Sequence, residues 1–414
     1  MIIYSKALPS AGLASLLAIS TGCFSAQSFA QQQSLSLAEA LNSGTAEVHL
    51  RYRYEMVDQD NLAHNAHAST LRSRLTYKTG VFQNFTTQLE IDNVTGLGAD
   101  NHNSVSNGMT DHPVVADPEG TEINQAWISY GGIDDTSAKY GRQRINLDNQ
   151  RFIGGVAWRQ NEQTYDGFSL VNTAVEDITF SYAYINNINR IFGPDDGAKP
   201  ADLDAKTHIL NINHQGLPIG KLSAYSYWLD IKDAPAASTH TAGLRLSGKA
   251  EADRLTYNYS AEYAHQSDYG NNSLDFDADY YLLELGLVAN GLSAKVGLEV
   301  LEGDSALSGQ SFRTPLATLH KFNGWADQFL NTPDAGLEDR YFQVGGKISD
   351  IAFEAVYHQF DAQDGGDDYG TEMNFSVAKK ICEHRVVSLK YANFSADDFG
   401  SDVEKVWLQM VLGF

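Results

Sequence analysis

The stretch EVHLRYRYE, residues 47–55, sends Val48, Leu50, Tyr52 and Tyr54 to one side of an extended chain and His49, Arg51 and Arg53 to the other. Period two over this length predicts a half-buried strand. The alternation returns in TLRSRLTYK (70–78), where Leu71, Leu75 and Tyr77 oppose Arg72, Arg74 and Lys78. It returns again in FTTQLEID (85–92), where Phe85, Leu89 and Ile91 oppose Gln88, Glu90 and Asp92. ITFSYAYI, AGLRLSGK, LTYNYSAEY, YYLLELGL, SAKVGLEV, IAFEAVYH and VVSLKYANF carry it towards the C-terminus. Each run is about 9–12 residues, the length a tilted strand needs to cross a bilayer. The apolar sides are rich in Tyr and Phe, which suits interfacial girdles.

The connections alternate as well. KTGVFQN, GGIDDTS, NTAVED, HQGLPIG, KAEAD, VANG, ISD and CEH are short. Between them fall long segments at 57–68, 94–121, 145–162, 186–205, 266–277 and 302–339, with lesser ones near Lys232, Asp361 and Ser395. This pattern predicts an all-β fold: a closed, antiparallel, up-and-down transmembrane β-barrel of about 18 strands, with long loops at the extracellular end. The last run, KVWLQMVLGF, ends on Phe414 and resembles the final strand of outer-membrane barrels, whose assembly machinery reads the terminal aromatic. Lipid cannot satisfy an open sheet edge, so this strand is expected to pair with the first.

Composition narrows the class. The 414 residues carry 29 basic and 52 acidic side chains, a net charge of -23, which argues against a nucleic-acid partner. Residues 1–30 read as a cleaved secretory signal: Lys6 is their single charge, AGLASLLAISTGCF is an apolar core, and Ser28 and Ala30 are the small residues before the cut. A competing lipoprotein site at Cys23 lacks the apolar residue expected three positions earlier. After cleavage one cysteine remains, Cys382, so no internal disulfide is expected. No run reaches 18 apolar residues, which excludes a helical membrane protein. Residues 31–414 are therefore expected to form one barrel in the outer membrane of a Gram-negative bacterium.

The segment GRQRINLDNQRFIGGVAWRQNEQTYDG (141–167) neither alternates nor carries a helical stripe. Together with TLRSRL, EINQAW and FRTPLATLHKFNGWADQFL, it resembles the alginate-export family of outer-membrane porins. The resemblance implies an 18-strand barrel whose loops and inward arginines form a selective constriction. Arg142, Arg144, Arg151 and Arg159 are the expected constriction cations, since a guanidinium stays charged and grips carboxylates with two donors. The competing reading has Arg151 and Arg159 bracing the loop against wall carboxylates. Arg51, Arg53, Arg72 and Arg74 are expected to line the pore as a positive ladder, with Glu90 and Asp92 opposite them on the next strand, giving a transverse field; the competing reading is a plain water-filled wall with local salt bridges.

Other features are weaker. In residues 312–330, Leu316, Leu319, Phe322, Trp325 and Phe329 fit one helical face; the segment is expected to pack on the outer rim, against the alternative of a carbohydrate-stacking platform. Acidic clusters at Asp195–Asp196, at Asp361, Asp364, Asp367 and Asp368, and at Asp397, Asp398 and Asp402 read as solvated loops, without EF-hand spacing. His64 and His67 alone are a poor metal signal. No G-x-S-x-G, H-E-x-x-H or P-loop is present, so no enzyme, cofactor or metal is expected. The expected function is a porin: a passive diffusion channel for small hydrophilic solutes, anionic or saccharide among them. The alternative is an export conduit for alginate or a similar anionic polysaccharide. Expected partners are outer-membrane lipid and lipopolysaccharide, small solutes, and the barrel-assembly machinery acting on the strand that ends at Phe414.

Overall fold

Hydrophobic alternation along eighteen segments leaves each strand one face for hydrocarbon and one for the interior, and the computed structural model, which describes residues 36–414, arranges them in a single sheet. The signal-peptide reading and Cys23 lie outside the described residues. The strands are β1 (Thr45–Gln59), β2 (Ala66–Lys78), β3 (Phe85–Asn101), β4 (Gly120–Ile133), β5 (Thr136–Gln143), β6 (Thr164–Asn172), β7 (Ile178–Asn189), β8 (Asp202–Leu217) and β9 (Gly220–Leu229). They continue with β10 (Thr239–Ala252), β11 (Leu255–Asp268), β12 (Asp277–Ala289), β13 (Leu292–Leu301), β14 (Leu337–Ile348), β15 (Ile351–Asp361), β16 (Asp368–Cys382), β17 (Arg385–Ala396) and β18 (Val403–Gly413). Each pairs antiparallel with its sequence neighbours, and β1 pairs with β18 from His49↔Gly413 to Gln59↔Val403. Val48 and Phe414 exchange both backbone hydrogen bonds at the seam, so the sheet closes without an edge.

The tight turns share one end with the strand termini Thr45 and Gly413, and the long loops share the other. Turn chemistry is local: Asn290 and Gly291 both take positive φ, 51° and 81°, the conformation a two-residue type I′ hairpin requires. A short helix, α1 (Leu37–Asn42), is capped by the Ser36 hydroxyl and docks on the β2–β3 turn through Gly80 N–H donating to the Ala40 carbonyl at 2.8 Å.

The outward face is apolar. Leu283 and Leu285 are 58% and 65% exposed, and Val296, Phe342 and Met373 lie on the same side of their strands. A soluble protein does not expose apolar surface in a continuous band; hydrocarbon outside accounts for it. The inward face carries the charge. Arg53, Glu55, Arg72, Asp92, Glu299, Asp339 and Glu372 are all buried, because two loops fold down over them.

Candidate functional site

Loop 144–163 leaves the short strand β5 and crosses the lumen. At its root Arg144 bonds Glu90 at 3.0 Å and also grips Glu162. Glu162 meets Arg74 at 2.9 Å and Arg72 at 3.5 Å, so one carboxylate near the end of the loop holds three arginines. Burial pushes the Glu162 carboxyl up, but Arg144, Arg74 and Arg72 outweigh it and hold it well below its ordinary value.

Further along, Asp148 accepts from Asn211, Lys221 and Ser223, each at 2.7 Å, on β8 and β9. Arg151 reaches Glu299 on β13 at 2.8 Å, and β13 stands eight strands along the wall from β5. Phe152 packs among Tyr225, Tyr227, Tyr280 and Phe312, with ring centroids 5.2–6.1 Å away. The chain then returns to β1 and β2. Arg53 lies 4.1 Å over the Trp158 ring and donates to its carbonyl at 2.6 Å. Gln160 accepts from Arg51 at 2.9 Å and donates to the Thr70 hydroxyl at 2.9 Å. Arg159 pairs with Glu55 at 3.1 Å and with Asp327 at 3.3 Å.

Loop 302–336 enters from the opposite wall and interlocks with the first. Gly154 N–H donates to the Leu316 carbonyl at 2.9 Å, and Thr318 N–H to the Gln150 carbonyl at 3.0 Å. Asn323 donates to Glu299 at 2.8 Å and to Asp339 at 3.2 Å, while Glu372 accepts the Trp325 and Ala326 amides. Asp327 pairs with Lys405 at 2.9 Å and His320 at 2.7 Å. The other His320 nitrogen meets Lys390 at 2.7 Å, and that ammonium sits 3.7 Å over Trp325 and 4.4 Å over Trp158. Burial, helped by Lys390 and Arg159 against the pull of Asp327, pushes His320 down to about 3, so the ring is neutral. Above both loops opens an extracellular vestibule of about 920 Å³.

Three expectations change. The segment 312–330 does not lie on the rim and is not a helix: only Leu319–Lys321 forms a single 3-10 turn, and Leu316, Trp325 and Phe329 are buried within the barrel. There the Trp325 and Ala326 amides donate to the inward Glu372 carboxylate instead of to a helical ladder. Arg142 leaves the constriction. Strand β5 runs on to Gln143, so Arg142 shares the outward face with Tyr140, opposite Ala126, and forks onto Asp166 at 2.8 and 3.0 Å. Glu90 and Asp92 do not face the arginines across the pore; Arg74 grips Asp92 on the adjacent strand at 2.7 and 2.6 Å. Charge there is paired side by side, so those residues set up no transverse field.

Arg51, Arg53, Arg72, Arg74, Arg144, Arg151 and Arg159 do gather around the inward loops, with Glu90 and Asp92 among their partners. The sequence reading missed Glu55, Asp117, Glu162, Glu299, Asp327, His320 and Lys390, the groups that complete the network. Inward parity marks Glu55, Glu299 and Lys390; nothing local marks Asp117 or Asp327.

Solved structures share this architecture. OpdK of Pseudomonas aeruginosa, determined with vanillate, superposes with a TM-score of 0.70 over 90% of this chain and 99% of its own, at 13% identity. OccAB2 of Acinetobacter baumannii gives 0.68 over 91% and 99% at 17% identity, and OccAB4 of the same organism 0.70 over 93% and 99% at 15%. At such identities the likeness is one of fold. No curated protein matches the chain. The alginate export family model matches residues 45–287, more than half of the sequence, and the chain belongs to that family, an outer-membrane β-barrel channel whose lumen is crossed by two interlocked loops.

Proposed function

We propose that the chain is a passive diffusion channel for small hydrophilic solutes, with the aperture set by loops 144–163 and 302–336. One observation carries this reading: the two loops are bonded to each other and to opposite walls, which narrows the lumen and obstructs a free bore. In this reading Arg51, Arg53, Arg72, Arg74, Arg144, Arg151 and Arg159 are the frame of the aperture. Their carboxylate partners neutralise most of their field, so size selects more strongly than charge. The fold likeness to OpdK, solved with vanillate, supports a small solute.

The family description favours a second reading, export of an alginate-like polyanion. A polymer would require the interlocked loops to part. Liposome swelling separates the two: entry rates should fall steeply from a pentose to a trisaccharide. Equal rates across that series, or conductance blocked by polyuronate from the periplasmic side alone, would overturn the small-solute reading.

A further inference from the structure

Lys390 stands on the inward face of β17 with its side chain buried, and it makes no ion pair among the described residues. Asp327, Glu354 and Glu372 are the carboxylates whose fields reach it, alongside the like charge of Arg53. Its contacts are aromatic. The ammonium lies 3.7 Å from the centre of the Trp325 ring, 4.4 Å from Trp158 and 5.4 Å from Trp407, and it donates to His320 Nε2 at 2.7 Å. A buried ammonium without a carboxylate in contact is costly, and the negative faces of the indoles offset that cost.

The rings come from three elements. Trp158 belongs to loop 144–163, Trp325 and His320 to loop 302–336, and Trp407 to β18. Trp158 stacks on His320 with centroids 4.4 Å apart and planes 8° from parallel, and Trp407 stands edge-on to both at 5.8 and 5.7 Å. Arg53 also lies over Trp158, at 4.1 Å. The indole N–H groups of Trp158 and Trp407 are buried and meet no hydrogen-bond partner among the described residues. Stacking and the enclosed cations therefore hold these two rings, not hydrogen bonds from their nitrogens. An ammonium has donors only, so His320 Nε2 accepts from it and the imidazole proton sits on Nδ1, facing Asp327 at 2.7 Å. Asp327 in turn holds Lys405 on β18 and Arg159 of the first loop. One ammonium thus meets an indole from each loop and sets the tautomer that ties the second loop to the first.

We propose that Lys390 is the positioning residue that registers loop 144–163 against loop 302–336, its ammonium being the guest of a box formed by Trp158, Trp325 and Trp407. The proposal deepens the small-solute reading, in which these loops set the aperture, and rests on it. Lys390 acts on the aperture through the indoles.

Hydrogen exchange of the Gly154 and Thr318 amides, which donate across the junction to Leu316 and Gln150, reads the register in the detergent-solubilised protein. Lys390→Met keeps the length and apolar stem of the side chain without its charge. It should speed both amides about tenfold while the barrel keeps its heat-modifiable migration. Near-isosteric replacement of Trp325 by mono-, di- and trifluorotryptophan weakens the negative face of the ring in steps. Exchange should climb with each fluorine in the wild-type background and stay level in Lys390→Met. A Lys390→Met rate within twofold of wild type, or a fluorine series of equal slope in the two backgrounds, would overturn the positioning role. A flat series in the wild-type background would do so alone, whether or not the Met variant folds. Liposome swelling bears separately on the channel: wild-type entry rates equal from pentose to trisaccharide would overturn the small-solute reading and leave the exchange results standing.

Discussion

Arg159→Ala removes one guanidinium from the junction of both loops with the wall. Its consequences differ among its partners. Asp327 keeps Lys405 at 2.9 Å and His320 at 2.7 Å. Asp117 keeps the Gln160 amide at 2.7 Å and Arg53 at 3.5 Å. Glu55 keeps nothing comparable: Arg159 is its ion-pair partner, its side chain is 0% exposed, and its second oxygen already lacks a hydrogen-bond partner among the described residues. Stranding a buried carboxylate in this way costs about 3–5 kcal/mol. Because two of the three acids stay satisfied, the lower end, about 3 kcal/mol, is the expected figure. At roughly 1.4 kcal/mol per tenfold, local opening of loop 144–163 becomes about a hundredfold more frequent. Hydrogen exchange of the loop amides in detergent reads that ratio directly. The double variant Arg159→Met with Glu55→Gln removes both charges together and should recover most of the protection. Unchanged exchange in Arg159→Ala, or a double variant that opens as readily as the single, would refute the view that this ion pair pins the aperture.

Further outcomes follow from the same geometry. Arg142→Ala should leave unit conductance and zero-current potential at wild-type values in planar bilayers, since the residue lies on the outward face. Asp148→Ala takes the acceptor from Asn211, Lys221 and Ser223 at once, so the loop should detach from β8 and β9, and single-channel recordings should show a larger unit conductance. His320 is neutral when folded, with its pKa depressed to about 3 from 6.5; an opened loop therefore binds more protons, and attachment weakens as pH falls below 6.5. Exchange of loop 302–336, corrected for intrinsic rates, should rise between pH 6.5 and 4.5 in wild type and stay flat in His320→Gln. Glu162 adds its own loss only as pH falls below its ordinary 4.5 towards its depressed folded value. Leu283→Arg, on the lipid face at mid-strand, should destabilise the barrel by about 2–4 kcal/mol in urea unfolding from vesicles.

The wall was legible in the sequence because its rules are local. Parity assigns Arg51, Arg53, Arg72 and Arg74 inward without knowledge of any partner, and turn residues such as Asn290 and Gly291 declare hairpins by their own backbone preference. Arg142 escaped that logic because it stands at the start of the segment 141–167, which as a whole reads as being without alternation. Two more residues of pairing, Arg142↔Asp166 and Gln143↔Tyr165, turn its side chain outward, and residue type carries no sign of that extension. Loop 302–336 escaped for a different reason. Its fold is set by Glu299, Asp339, Glu372, Lys390 and Lys405, acceptors and donors on five strands, so its apolar spacing resembles a helix that its backbone has no need to form.

The arginines themselves show how far residue type can carry a functional reading. A guanidinium in a channel suggests a field acting on the solute, but a field survives only where no carboxylate lies within a few ångströms. Of the ten charged residues singled out from sequence, Arg74, Arg144, Arg151 and Arg159 each hold a carboxylate at 3.1 Å or less, and Glu90 and Asp92 are among those carboxylates. Their electrostatic energy goes into fixing the loops. The vestibule residues Arg190, Lys199 and Arg313, which make no ion pair among the described residues, lie in loops whose sequence has no alternation. Selectivity in this barrel is therefore expected to respond to substitutions in the vestibule, and aperture size to substitutions in the paired network; a variant that changed both by the same route would show that the two layers are one.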